Sequence, residues 1–431
     1  MRRLPDGLIL LSGGREQARN ADNNLVFRQD SDFLYLTGVE EPDFILLIDP
    51  RRRVSTLFAP RIDSTHKVWL GYVPGPAECR KLFDIERVAY ADELPKYLKR
   101  AKSGYRKLYC DKLSLKKFRK ELRGLSPRPS GLREALAELR AVKTPGEIEL
   151  LKEAGKITSR AHRAAMAGAR AGMREYEVQA IFESECLSGG LRHLAFPSIV
   201  ASGTNSAVLH YHKNDAVLKN GDLLLLDAGG ELRGYAADIT RTFPVSGRFS
   251  RRQRDIYSIV LDAHKACIEQ VRPGVASTDL HLLTMTRIAE GLKSLGLLKG
   301  DVSGLVESGV VRLFYPHGFG HMLGIDVHDV GGGRKRLIEN PAKVPVRFLA
   351  RLEPGFVVTV EPGIYFIEAL LRDPVLRAKH RGSVVFSKAE SFLDFGGVRI
   401  EDDLLVRPAG PALDLTEVPK EIDEVERMRG A

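Results

Sequence analysis

Four acidic residues and one histidine-rich stretch carry the chemistry this sequence could do. Asp227 closes the apolar run Leu223-Leu224-Leu225-Leu226, where a charge needs a reason. Gly229, Gly230 and Gly234 mark a hairpin, and a turn centred on Leu232-Arg233 would set Asp227 opposite Asp238. Facing side chains in a hairpin lie about 5 Å apart. Two bare carboxylates at that distance repel, and a cation between them relieves the conflict. The other reading is that one aspartate caps a turn while its neighbour faces solvent. Pro316 to Asp329 then holds three histidines, His317, His321 and His328, in a glycine-rich stretch. It lacks the His-Glu-x-x-His pattern of helical zinc sites, and its glycines miss dinucleotide-loop spacing. Glu361 ends the run Phe356–Val360 before Pro362-Gly363, and alternation in Gly397–Glu401 puts Arg399 and Glu401 on one face. Each acid alone could pair with a core arginine. Together, four carboxylates and one imidazole make a hard, oxygen-dominated donor set that suits a pair of divalent ions better than one structural zinc. Such a pair can deprotonate a shared water and polarise a carbonyl, so the implied reaction is metal-assisted hydrolysis. No Gly-x-Ser-x-Gly elbow, phosphate loop or Cys–His pairing competes for the role.

These residues need strands and a loop to hold them. The first part of the chain reads as a small α/β domain. Its strand-like runs are Leu8–Leu11, Phe33–Leu36, Phe44–Ile48, Val54–Ala59 and Lys107–Cys110. Helical stretches are expected over Glu78–Phe83 and Glu93–Arg100, and a short helix over Leu132–Leu139 follows polar sequence from Arg123 to Gly131. Thr144-Pro145-Gly146-Glu147 is a capping box with proline at the first helical position. The domain division is therefore set at residues 1–140 and 141–431. Beyond it, helices over Glu175–Leu187, Arg252–Val271 and Thr278–Leu295 are interspersed irregularly with strands, which predicts an α+β domain.

At these blocks the sequence resembles a known family. Leu224–Gly230, Ala237–Phe243, His317–Asp329, Thr359–Tyr365 and Gly396–Asp402 are similar to the signature blocks of the pita-bread metallopeptidases, and within them of prolidase and aminopeptidase P. The resemblance runs nearly end to end. It implies a pita-bread catalytic domain with internal pseudo-symmetry, preceded by a smaller creatinase-like α/β domain. It also assigns roles. Asp227 would chelate one metal, Asp238 and Glu401 would bridge two, and His321 and Glu361 would complete the second. Glu361 would also shuttle the proton of a metal-bridging hydroxide. His210, His317 and His328 would steady the reacting amide as donors placed where charge develops, with Arg399 in electrostatic support. The implied ions are Mn²⁺, with Zn²⁺ or Co²⁺ fitting the same ligands. A homodimer is implied, the partner's N-terminal domain capping the cleft. One departure is Phe196, where many relatives carry a tyrosine; the missing hydroxyl removes one hydrogen bond but no ligand.

The family cleaves the bond before proline, which has no N–H and a rigid ring. A dipeptidase must also neutralise the carboxylate on that proline, a task suited to arginine. Arg347 matches the arginine of prolidases that does so, although arginine is ordinarily a surface residue. The segment between Tyr365 and Phe395, together with Ser55–Arg61, Trp69–Gly71 and Val418-Pro419, also resembles prolidase. Phe27–Gly38 instead resembles aminopeptidase P. The expectation is a Xaa-Pro dipeptidase, with aminopeptidase P acting on longer peptides as the alternative. A non-catalytic binding module of the same fold, or a creatinase-like C–N hydrolase, would have lost the ligands that are all present here.

Composition agrees with an enzyme of ordinary globular type. The chain has 431 residues, 43% hydrophobic and 28% charged, with a formal charge of +10. Its basic residues fall in short, scattered clusters without a zinc-finger spacing, which reads as a solvated surface and not a nucleic-acid site. No apolar run approaches a membrane span. Met1-Arg2-Arg3 mimics the start of a signal peptide, but Leu8–Leu11 is too short to continue one and Arg15 and Glu16 follow, so a cytoplasmic protein is expected. The four cysteines form no Cys-x-x-Cys pair, and helical spacing marks Cys186 and Cys267 as core thiols.

Overall fold

The computed structural model describes residues 3–341 and 343–430. Of the signal-like triplet, Met1 and Arg2 lie outside the described residues. The chain divides into two compact units, Met1–Arg140 and Ala141–Ala431.

The first unit is built on a six-stranded mixed sheet. Its spatial order is Arg87–Tyr90, Val54–Ala59, Ile45–Asp49, Gly7–Ser12, Lys107–Cys110 and Ser126–Pro127. Gly7–Ser12 is buried throughout, because both sheet faces are covered. Leu8 and Leu10 pack on one face with Leu94 and Leu98, whereas Ile9 and Leu11 pack on the other with Phe33 and Leu132. One expected strand is a helix. Ser31–Thr37 is helical, with the Asp30 carboxylate accepting from the Phe33 N–H and Gly38 closing the helix at φ 68°. A short apolar run cannot distinguish the two structures by periodicity, and the aspartate and glycine flanking it decide.

In the second unit the capping box starts the helix Pro145–Gly168: the Thr144 N–H donates to Glu147 at 2.9 Å. Helices Glu175–Ser188, Arg251–Gln270 and Ser277–Ser294 follow. They contribute to a core that includes Phe182, Val260, Ile288 and Phe314. Several small antiparallel pairings hold Asp227 and flank Asp238, Glu361 and Glu401. Leu223–Ala228 lies between Ile199–Ser202 and Ile239–Pro244, Val357–Val360 pairs with Asp402–Leu405, and Gly363–Tyr365 pairs with Gly397–Arg399. All four cysteines are buried and free. Among the described residues no helix is long and apolar enough to cross a membrane.

Three histidines in these helices make stability depend on pH. Burial pushes His162 and His264 down to about 3 and His281 down to about 4. The folded state refuses a proton that the unfolded chain accepts near pH 6.5. Stability is therefore complete above that value and falls as pH drops toward the folded values, by about 2 kcal/mol per histidine at pH 5. Urea unfolding at pH 7 and pH 5 should show this loss. His281 has neither ring nitrogen hydrogen-bonded, so His281→Phe should make the loss smaller.

Candidate active site

The hairpin after Leu223–Ala228 sets the first two carboxylates. Glu231 faces Ala236 and Leu232 faces Tyr235. The turn residues are therefore Arg233 and Gly234, both left-handed at φ 50° and 83°, the backbone that matches sheet twist. The expected centre on Leu232-Arg233 is corrected: Asp227 faces Thr240, not Asp238. Asp238 lies two positions from that partner, which keeps it on the face of Asp227, since only a shift by an odd number changes faces. Oδ1 of Asp227 and Oδ1 of Asp238 are both buried without a hydrogen-bond partner.

The histidine-rich stretch runs beside Val357–Val360. The Leu323 N–H donates to Val357 at 2.9 Å, the Thr359 N–H to His321 at 2.9 Å, and the Glu361 N–H to Phe319 at 2.7 Å. Gly320 is required by this approach, because a Cβ there would collide with the Thr359 carbonyl. His321 Nδ1 lies 3.0 Å from the Met322 carbonyl and is the ring's N–H donor. The Nε2 lone pair therefore faces Asp238 at 3.3 Å, Glu361 at 3.7 Å and Glu401 at 3.9 Å. A lone pair aimed at three carboxylates is repelled by them, and a cation between them relieves the conflict. Asp238, His321 and Glu401 each offer a ligand atom, all within 4.8 Å of one another. Burial pushes Asp238 and Glu401 well above the usual carboxylate range, and neighbouring carboxylates add to the rise. Orphaned oxygens, an imidazole lone pair and uncompensated charge all fit divalent metal. All ten residues expected to act (Asp227, Asp238, His321, Glu361, Glu401, His210, His317, His328, Arg347 and Arg399) line one cavity of about 320 Å³.

Residues 149–408 match metallopeptidase family M24, and residues 1–109 match the N-terminal domain of aminopeptidase P. The chain belongs to metallopeptidase family M24. It is 39% identical to the Xaa-Pro dipeptidase of Homo sapiens over 436 residues, covering 97% of this chain and 88% of that protein. It is 37% identical to a probable Xaa-Pro aminopeptidase of Coccidioides posadasii over 439 residues, covering 98% and 92%. Zinc-substituted E. coli aminopeptidase P in complex with product superposes with a TM-score of 0.84 at 33% identity, covering 98% of this chain and 94% of that one.

Around the acidic centre of this M24 site lies a polar network in which Tyr365 and Thr240, given no role by the sequence, join Arg399 and His317 to the acids. Arg399 is buried and pairs with Asp227 Oδ2. Its Nη1 donates to the Tyr365 hydroxyl at 2.9 Å, and its Nε to Thr240 Oγ1 at 3.2 Å. Thr240 in turn donates to Glu401 Oε2 at 2.7 Å. The Tyr365 hydroxyl lies 2.8 Å from His317 Nε2, whose Nδ1 lies 2.9 Å from the Gly318 carbonyl. That chain of donors fixes the tautomer of His317, and burial pushes the ring down to about 3. Tyr365 and Thr240 sit in the blocks that carry the family resemblance, but their partners Arg399, His317 and Glu401 lie more than thirty residues away. A tyrosine hydroxyl thus stands beside the acids despite Phe196, which lines the cavity. Asp403, which no sequence pattern marks, accepts the Asp238 N–H at Oδ2 at 3.0 Å and steadies that backbone. Arg347 is exposed on the cavity and makes no ion pair with a described residue.

Proposed function

We propose that this chain hydrolyses the peptide bond between an N-terminal residue and proline, as a Xaa-Pro dipeptidase. One observation carries the reading: buried carboxylate oxygens without a hydrogen-bond partner and the His321 lone pair converge in a cavity also lined by Arg347, which pairs with no described acid. Asp227, Asp238, His321, Glu361 and Glu401 would hold two divalent ions, Mn²⁺ by preference, with Zn²⁺ or Co²⁺ suiting the same donors. When bound, such ions supply Lewis acidity toward a water and a carbonyl.

The protein's own groups do the rest. Glu361 has Oε2 3.4 Å from His317 Nδ1, and burial pushes its carboxyl up toward the range useful for proton transfer. It takes a proton from the attacking water as the new C–O bond forms. The proton then passes to the proline nitrogen as the C–N bond breaks, because a tertiary amide nitrogen leaves only when protonated. His210 and His328 donate to the oxygen on which charge develops. His317, with both ring nitrogens engaged, holds Tyr365 and the side of Glu361. Arg347 receives the proline carboxylate. A homodimer and a cytoplasmic location complete the proposal, on family resemblance.

The test compares a Xaa-Pro dipeptide with a Xaa-Pro-Yaa tripeptide, using chelator-treated and Mn²⁺-loaded enzyme. Metal-dependent cleavage of the dipeptide alone is expected. Efficient cleavage of the tripeptide would make the protein an aminopeptidase P. No metal-dependent activity on either would refute the peptidase reading.

A further inference from the structure

A buried ion pair behind the cavity has no part in the reaction just described. Lys143 Nζ lies 2.9 Å from Asp329 Oδ2, and both side chains are 1% exposed. Taking two charges out of water costs several kcal/mol per ion, and a well-packed apolar pair of similar volume is often as stable or better. Stability alone does not account for it. What an apolar pair cannot supply is a short, directional, charge-assisted bond that fixes one backbone against another.

The two ends of this bond are anchored differently. The Lys143 N–H donates to Gly355 at 2.8 Å, just ahead of the strand that holds the His321 stretch. Asp329 closes the turn after His321, with its N–H donating to Met322 at 2.9 Å. Inside that turn the Gly324 N–H donates to Asp326 at 3.1 Å. A Cβ on Gly324 would come within 2.9 Å of Lys143 Cε, so glycine is what lets the lysine through. His328 immediately precedes Asp329, and its ring sits edge-on to His321 with centroids 4.5 Å apart. The bond from Lys143 therefore holds the backbone from which His328 reaches the cavity.

We infer that Lys143 is a positioning residue that sets the His328 imidazole for the scissile amide. The inference rests on the peptidase reading and on the role given there to His328. A displacement of about 1 Å in a group that touches substrate can cost about 100-fold in rate.

The test uses full-length metal-loaded enzyme and the variants Lys143→Met, K143M/D329L, His328→Ala and K143M/H328A. Lys143→Met should lose stability, because the buried Asp329 carboxylate loses its Lys143 counter-charge. K143M/D329L should recover the melting temperature, yet keep a loss in kcat/KM of about 10- to 100-fold with unchanged metal content. In the His328→Ala background, adding Lys143→Met should cost no more than about twofold, since two groups acting as one are not additive. Amide exchange over Met322 to Asp329 should be faster in K143M/D329L than in wild type. Equal losses in both backgrounds, or wild-type kinetics in K143M/D329L, would overturn the inference. If wild type cleaved no Xaa-Pro peptide, the peptidase reading would fall. Unchanged exchange in K143M/D329L would then overturn the positioning independently.

Discussion

Asp238→Asn should abolish peptidase activity while making the metal-free protein more stable. Asp238 is 5% exposed, its Oδ1 is unpaired and its Oδ2 faces the His321 imidazole. Burial and then the Asp227 charge push it well above the usual carboxylate range. The metal-free protein must therefore either carry a repelled charge or bind a proton there, and both cost stability. Asparagine keeps the shape and removes the charge. The same change removes one anionic ligand. We expect kcat/KM on a Xaa-Pro dipeptide to fall by about 1,000-fold or more, the scale of losing a group on which transition-state charge depends. Bound metal should fall with it. Calorimetric melting of chelator-treated and metal-loaded samples checks the opposite signs: the variant should melt above wild type without metal and below it with metal. A variant that lost activity yet kept its metal, with no gain in the metal-free state, would contradict the account.

Arg347→Met should separate dipeptide from longer substrates. Arg347 lines the cavity with His210, His317 and His328, and no described acid pairs with it. A guanidinium held there unpaired can take a substrate carboxylate in two parallel hydrogen bonds. A hydrogen bond to a charged group contributes about 1.5–3 kcal/mol, so losing it should cost about 10- to 150-fold in kcat/KM for the dipeptide. A tripeptide keeps its carboxylate elsewhere and should change by less than about threefold. Arg347→Lys should restore little, since an ammonium offers no planar fork. Parallel loss on both substrates would make Arg347 a general electrostatic element and favour the aminopeptidase reading.

Most of the donor set was legible because each acid interrupts an apolar run, and burying an unpaired charge is too costly to occur without purpose. Asp227 after four leucines and Glu361 after Val357–Val360 carry that signal in their immediate neighbours. The register of the hairpin did not. Placing the turn on Leu232-Arg233 was reasonable from composition, but Arg233 and Gly234 are the residues that adopt left-handed backbone. The site survived that error because a shift that moves the partner by two positions leaves a side chain on its own face. The helix Ser31–Thr37 reads as a strand because its core-facing residues are few and apolar, and the information lies in Asp30 and Gly38 at its ends.

By itself the sequence determined which side chains are candidates, their donor chemistry, and the two-part organisation, since these depend on residue type and local spacing. Only tertiary structure decided that His321 turns its lone pair toward Asp238, Glu361 and Glu401. It also decided that Tyr365 links Arg399 to His317, and that Lys143 meets Asp329 across 186 positions. Hydrogen bonds and ion pairs act over about 3 Å in space and are indifferent to separation along the chain. No local pattern can encode which distant partner will arrive.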